Sequence, residues 1–168
     1  DGNAKMSKSL GNCIYLSDTS KEIKKKVNSM FTDPEHLQIT DPGHVEGNVV
    51  FTYLDAFSND EHFAKYLPEY ANLDEMKDHY RRGGLGDGTC KKFLFNIMEE
   101  FLQPMRERRK QYEQNIPQVY EILRKVSDAA RAEAAKTLAD VRKAMKIDYF
   151  DDADLIAASL YVRSLSTQ

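Results

Sequence analysis

The chain has 168 residues, 41% of them hydrophobic and 30% charged, with a formal net charge of −3. That composition suits a globular core and excludes a disordered chain, and the net negative charge excludes a uniformly basic nucleic-acid binder. No apolar run approaches the length needed to span a bilayer, so no membrane partner is expected.

In chain order, the first segment is Asp1-Gly2-Asn3-Ala4-Lys5-Met6-Ser7-Lys8-Ser9-Leu10-Gly11-Asn12. Small and polar residues dominate it, which is the composition of a loop. Lys5 and Lys8 stand three residues apart, with Ser7 and Ser9 between and beside them. Such a loop can lay cations and hydroxyl donors along a polyphosphate. Lysine acts there as a point charge on a flexible stem, suited to a phosphate that moves during reaction.

Cys13-Ile14-Tyr15-Leu16 is a short apolar link. Ile23, Val27 and Met30 at helical spacing predict a helix from about Lys21 to Phe31, capped by Ser17 or Ser20 and stopped at Thr32-Asp33-Pro34. Residues 35–45 read as a loop. Glu46 to Phe57 reads as a largely buried helix, with Val49, Val50, Tyr53, Leu54 and Phe57 recurring at three and four. Asn59 to Tyr66 and Leu73 to Tyr80 predict two further short helices. Gly83 and Gly88 have the outer spacing of a phosphate-binding loop, but Thr89-Cys90 stand where Lys and Ser or Thr would be required. The glycines are therefore read as stopping one helix, with Asp87 capping the next.

Two long helices follow. From Gly88 to about Asn115, Phe93/Leu94, Ile97/Met98, Phe101/Leu102 and Met105 recur every four residues, and Pro104 predicts a kink. Met98 and Met105 belong to this core stripe. Pro117 fits the first turn of the next helix, whose apolar stripe is Val119, Ile122, Leu123, Val126, Ala130, Leu138, Val141 and Met145. The short link makes the two helices antiparallel neighbours. Lys146 to Asp152 breaks the pattern, and Ala153 to Leu165 predicts a last helix, apolar enough to dock on the domain. No segment shows sustained strand alternation, so the fold class is all-α, a helical bundle. Cys13 and Cys90 follow no CxxC spacing, and His36, His44, His62 and His79 form no HxxxH or HExxH pair. Two reduced thiols and no metal site are expected.

The pentapeptide Lys5-Met6-Ser7-Lys8-Ser9 resembles, without a mismatch, the KMSKS nucleotide signature of class I aminoacyl-tRNA synthetases. Ser29 to Pro34, Glu46 to Asp55, Gly83 to Gly88 and Leu102 to Arg109 follow in an order similar to the bacterial tryptophanyl-tRNA synthetase family, over Asp1 to about Met145. The resemblance implies a C-terminal fragment. Residues 1–19 would end a Rossmann-like catalytic domain, and residues 20–168 would form the helical, anticodon-binding-type domain. The HIGH-type motif and the amino-acid pocket would lie upstream, so the fragment alone should be inactive. The resemblance further implies a cytoplasmic enzyme that activates L-tryptophan with ATP and Mg2+ and transfers it to tRNA(Trp). Family enzymes are homodimers, with a dimer surface mainly on the missing domain.

By the same resemblance, Lys8 first and Lys5 second stabilise the leaving pyrophosphate, Ser7 and Ser9 hold phosphate, and Met6 anchors the loop. No carboxylate here is assigned to magnesium. By family analogy the helical part reads the anticodon, with Arg106, Arg108, Arg109 and Lys110 as the densest cationic patch. Arg81, Arg82, Lys91 and Lys92 form a second. Each patch is also readable as a solvated helix face, and Tyr80 and Tyr112 as packing rather than base-stacking residues. Two rival readings stay open: a tyrosyl-tRNA synthetase fragment, and a non-catalytic helical RNA-binding or scaffold module.

Overall fold

A computed structural model describes residues 4–149 and 152–158. Helices account for its regular structure, and no strand occurs among the described residues. They are α1 (Ser20–Asn28), α2 (Val49–Phe57), α3 (Asp60–Tyr66), α4 (Leu73–Arg82), α5 (Asp87–Glu113) and α6 (Ile116–Ala144).

Side-chain caps set where five of these helices begin, α5 being the exception. Neither Ser17 nor Ser20 caps α1. Thr19 does, because Glu22 stands three residues on and completes a reciprocal capping box. The second helix starts later than Glu46 because Gly47 adopts φ +78° and Asn48 then caps the Val50 amide at 3.1 Å. Asn59 and Asn72 cap α3 and α4, each by accepting from the amide three residues on. The glycines do stop α4: Gly83 follows it at φ +83°. Asp87, however, is not the cap of α5. It is already helical, the Thr89 and Cys90 amides turn back to the Gly86 carbonyl, and its carboxylate accepts the Tyr80 hydroxyl at 2.7 Å. Helix α5 runs on through Pro104. Asn115 caps α6, with Pro117 in its first turn as its fixed φ favours.

The chain divides into two compact units, Asp1–Gln111 and Tyr112–Gln168. The core of the first gathers Ile23 and Val27 of α1, Val50, Phe51 and Leu54 of α2, Phe63 of α3, Met76 and Tyr80 of α4, and Phe93, Leu94, Ile97 and Leu102 of α5. Met98 is buried with them and Met105 packs against them. Burying one such side chain fully is worth roughly 1.5–3 kcal/mol, which is how short helices that would not persist alone are held. Tyr80 is the pivot. Its ring stacks on His36 at 4.6 Å and meets the Phe51 ring edgewise at 4.9 Å, while its hydroxyl also accepts from Asn48 at 3.3 Å. A side chain at Gly43 would collide with this ring. Burial pushes the Cys90 thiol up to about 12, so it is an inert core residue.

In the second unit, no residue of α6 is buried. Ile122, Leu123, Val126, Leu138, Val141 and Met145 of the expected stripe are exposed. Helical spacing of apolar residues marks the face that can be covered, and it does not by itself supply the covering surface. Met145 ends the helix, and Lys146 adopts φ +55°. Asp152 accepts the Leu155 amide at 3.0 Å and opens a short helical stretch over 153–158. Leu155 and Ile156 are exposed on it. The remaining apolar residues of the expected last helix, Leu160, Tyr161, Val162 and Leu165, lie outside the described residues.

Candidate functional site

The Lys/Ser-rich segment is a closed loop. The Gly11 amide donates to the Lys8 carbonyl at 3.2 Å, forming a four-residue turn that Gly11 completes at φ +63°, a conformation that favours glycine. Asn12 shuts the loop at its base: its Oδ1 accepts the Ser7 amide at 2.9 Å and its Nδ2 donates to the Lys5 carbonyl at 3.4 Å. Ser7 Oγ accepts the Leu10 amide at 3.3 Å and lies 3.2 Å from Ser9 Oγ. Lys5, Lys8 and Ser9 are exposed, and Ser7 is half-buried. The Ser7, Leu10 and Gly11 amides are thus satisfied from within the loop, and both lysines are exposed.

A cleft of about 300 Å³ adjoins the loop. Met6, Asn12 and Cys13 line it from the loop, Lys26 and Met30 from α1 and its end, and Tyr53 from α2. The Tyr53 hydroxyl donates to Met6 Sδ at 3.3 Å, although Met6 remains 58% exposed. Burial raises the Tyr53 pKa above the ordinary phenol value. Below the loop, buried Asp18 accepts from the Tyr15 amide at 2.8 Å and from Lys26 at 2.5 Å, and its carbonyl accepts from Arg106 at 3.4 Å. Lys26 also lies over the Tyr15 ring at 4.3 Å. Asp18 therefore fixes the stretch that joins the loop to α1.

The expected cationic residues fall into different situations. Arg106 is ion-paired to Glu99 and only 16% exposed, so its guanidinium is largely committed within the unit. Arg108, Arg109 and Lys110 are exposed on the same helix. In the other patch, Arg81 bridges Glu46 at 3.0 Å and Asp78 at 3.2 Å, and Lys91 donates to the Asn28 carbonyl at 3.0 Å. Arg82 and Lys92 are exposed. No group of three His, Cys, Asp or Glu side chains among the described residues is placed to hold a metal ion.

A family model described as tRNA synthetases class I (W and Y) matches residues 1–103. The chain belongs to that family. A tryptophan–tRNA ligase of Clostridium longisporum is 53% identical over 152 residues, which is 90% of this chain and 42% of the relative. One of Streptococcus pyogenes serotype M3 is 52% identical over 150 residues, covering 89% of this chain and 42% of its own length. The chain thus spans 42% of the length of these curated relatives. A crystal structure of Campylobacter jejuni tryptophanyl-tRNA synthetase, complexed with ADP and tryptophan, superimposes with a TM-score of 0.66. It is 24% identical and covers 85% of this chain and 41% of its own, which shows the shared fold.

For this class I synthetase chain, the lysines and serines of the loop were readable from the motif, and the residues that shape the loop were not. Asn12 carried a faint signal, as a turn-favouring residue right after a glycine. Tyr53 and Asp18 carried none, because their contacts with the loop region depend on tertiary packing.

Proposed function

We propose that this chain is the C-terminal part of a tryptophan–tRNA ligase. Residues 1–19 end its catalytic domain and residues 20–168 form its helical tRNA-binding domain. The observation that carries the reading is the unbroken KMSKS turn, closed by Asn12 with Lys5 and Lys8 left exposed, in a chain whose relatives of 53% and 52% identity are tryptophan–tRNA ligases.

In the first step the tryptophan carboxylate attacks the α-phosphorus of ATP, forming tryptophanyl-adenylate and releasing pyrophosphate. Negative charge builds on the departing pyrophosphate, and a fixed cation aimed there lowers the barrier most if it engages more strongly in the transition state. Lys8 takes that role, with Lys5 beside it. Ser7 and Ser9 hold phosphate oxygens. Mg2+ arrives with ATP and spreads the same charge, and no residue of this chain is assigned to it. In the second step the 2′-hydroxyl of the terminal adenosine of tRNA(Trp) attacks the acyl carbon of the adenylate, forming the ester as the acyl–phosphate bond breaks and AMP leaves. Arg108, Arg109 and Lys110, with Arg82 and Lys92, serve as phosphate contacts for the tRNA. Arg106, Arg81 and Lys91 assist from the same patches while keeping the contacts they make within the unit. The full enzyme acts as a cytoplasmic homodimer. No helix among the described residues is long and apolar enough to cross a membrane.

Amino-acid-dependent ATP–pyrophosphate exchange by the full-length enzyme tests the reading. Tryptophan should drive exchange and tyrosine should not, and this chain by itself should give none. Exchange driven by tyrosine would reassign it to the other half of the family. Absence of exchange with either amino acid would favour a binding module.

A further inference from the structure

The hydrogen bonds among Lys5, Ser7, Leu10 and Asn12 give the reactive loop its shape, but they lie within the loop and cannot place it on the protein. The Tyr53 hydroxyl reaches it from α2, 47 residues along the chain, and ends on the sulfur between the first lysine and the first serine of the motif. Tyr53 is in turn braced by neighbouring rings of the helical body. Its ring stacks near Phe57 at 6.0 Å, and Phe57 packs on Phe101 of α5 at 5.5 Å. Met6 is 58% exposed, so burial contributes little to holding it; Asp18 fixes the stretch that follows the loop, and the directed O–H···S contact is what reaches the motif itself. Met6 and Tyr53 also line the cleft that adjoins the loop, so the contact sets how far the loop stands from α2.

We propose that Tyr53 is a positioning residue for the activation step: through Met6 it latches the KMSKS turn to the helical body and so sets where Lys5 and Lys8 meet the phosphates. The proposal rests on the tryptophan–tRNA ligase reading. A thioether is a weak acceptor and the latch is accordingly soft. It biases the loop toward one placement while leaving it free to follow the phosphates as pyrophosphate departs.

The test is a double-mutant cycle in the full-length enzyme. Tyr53→Phe removes the hydroxyl and keeps the ring against Phe57, and Met6→Leu removes the acceptor at similar volume. Each should lower kcat for tryptophan-dependent exchange by about three- to tenfold, the worth of one modest hydrogen bond. The KM for tryptophan should not change. The double variant should be no slower than either single one, because both changes remove the same contact. Amide hydrogen exchange on this chain supplies a readout independent of catalysis: Tyr53→Phe should speed exchange at Ser7 to Asn12 and leave Phe93 to Met105 unaltered. Wild-type kcat in both single variants, or fully additive losses, would overturn the latch, as would unchanged exchange in the loop. If the wild-type enzyme activates no amino acid, the functional reading fails, and the hydrogen-exchange result still decides the latch.

Discussion

Asp33 and His44 hold one another at 2.8 Å in the turn beneath Tyr80. The hydrogen bond to Asp33, then its charge, raise the His44 pKa above the ordinary histidine value. Burial pushes Asp33 upward, but the Glu35 and His44 amides and the His44 ring outweigh it and leave the carboxyl below its usual range. The raised histidine stabilises fully below its unfolded value and loses that contribution as pH rises through the folded one. The lowered carboxyl stabilises above its unfolded value and loses that contribution as pH falls through the folded one. The pair is therefore at full strength between about pH 4 and 6.5. His44→Ala should lower the melting temperature more at about pH 5.5 than at about pH 9, and an equal drop at both would show that the pair contributes no pH-dependent stability. At this scale the sequence was generous with chemistry and silent on support. Lys5 and Lys8 announce themselves by motif, whereas Asn12, Asp18 and Tyr53 matter through partners that only folding brings together.

At the scale of the element, periodicity found the helices and capping chemistry moved their starts. Ser17 and Ser20 were acceptable caps by residue type, yet Thr19 has Glu22 at the reciprocal position and takes the role. Asn48 has a second duty that no local pattern reveals: 2% exposed, it caps α2 through one amide atom and donates to Tyr80 through the other. Asn48→Ala should therefore cost about 2 kcal/mol or more, a cap plus a buried hydrogen bond, while the exposed Thr19→Ala should cost about 1 kcal/mol. Denaturant midpoints compare them, and a larger loss at Thr19 would contradict the packing described for Tyr80. The stripe on α6 shows where pattern reading stops. Its spacing from Val119 to Met145 marked a helix, which spans Ile116–Ala144, but burial requires a second surface, and a period of 3.6 carries no information about one.

At the scale of the whole molecule, a net charge of −3 means that the tRNA binding proposed above would rest on local cation tracks. Burial differs along the cations of α5: Arg106 is paired with Glu99 and 16% exposed, and Arg108 and Arg109 are exposed. In the full-length enzyme, Arg108→Ala or Arg109→Ala should weaken tRNA binding across sequences and make the salt dependence shallower by about one unit or less each. Unchanged affinity and slope would leave this a solvated helix face. The all-helical architecture was readable throughout the first unit because helix spacing and helix stops agreed there, even where the capping residue differed. The same signals were weaker after Met145, where Lys146 to Asp152 breaks the helical spacing.

The central claim is that the turn from Lys5 to Asn12 stabilises pyrophosphate as it leaves. Lys8→Ala in the full-length enzyme tests it through the rate of tryptophan-dependent ATP–pyrophosphate exchange beside the affinity for tryptophan. Losing one preorganised charge contact should slow exchange by roughly a hundredfold or more, with tryptophan binding nearly unchanged. An exchange rate equal to wild type would contradict the account.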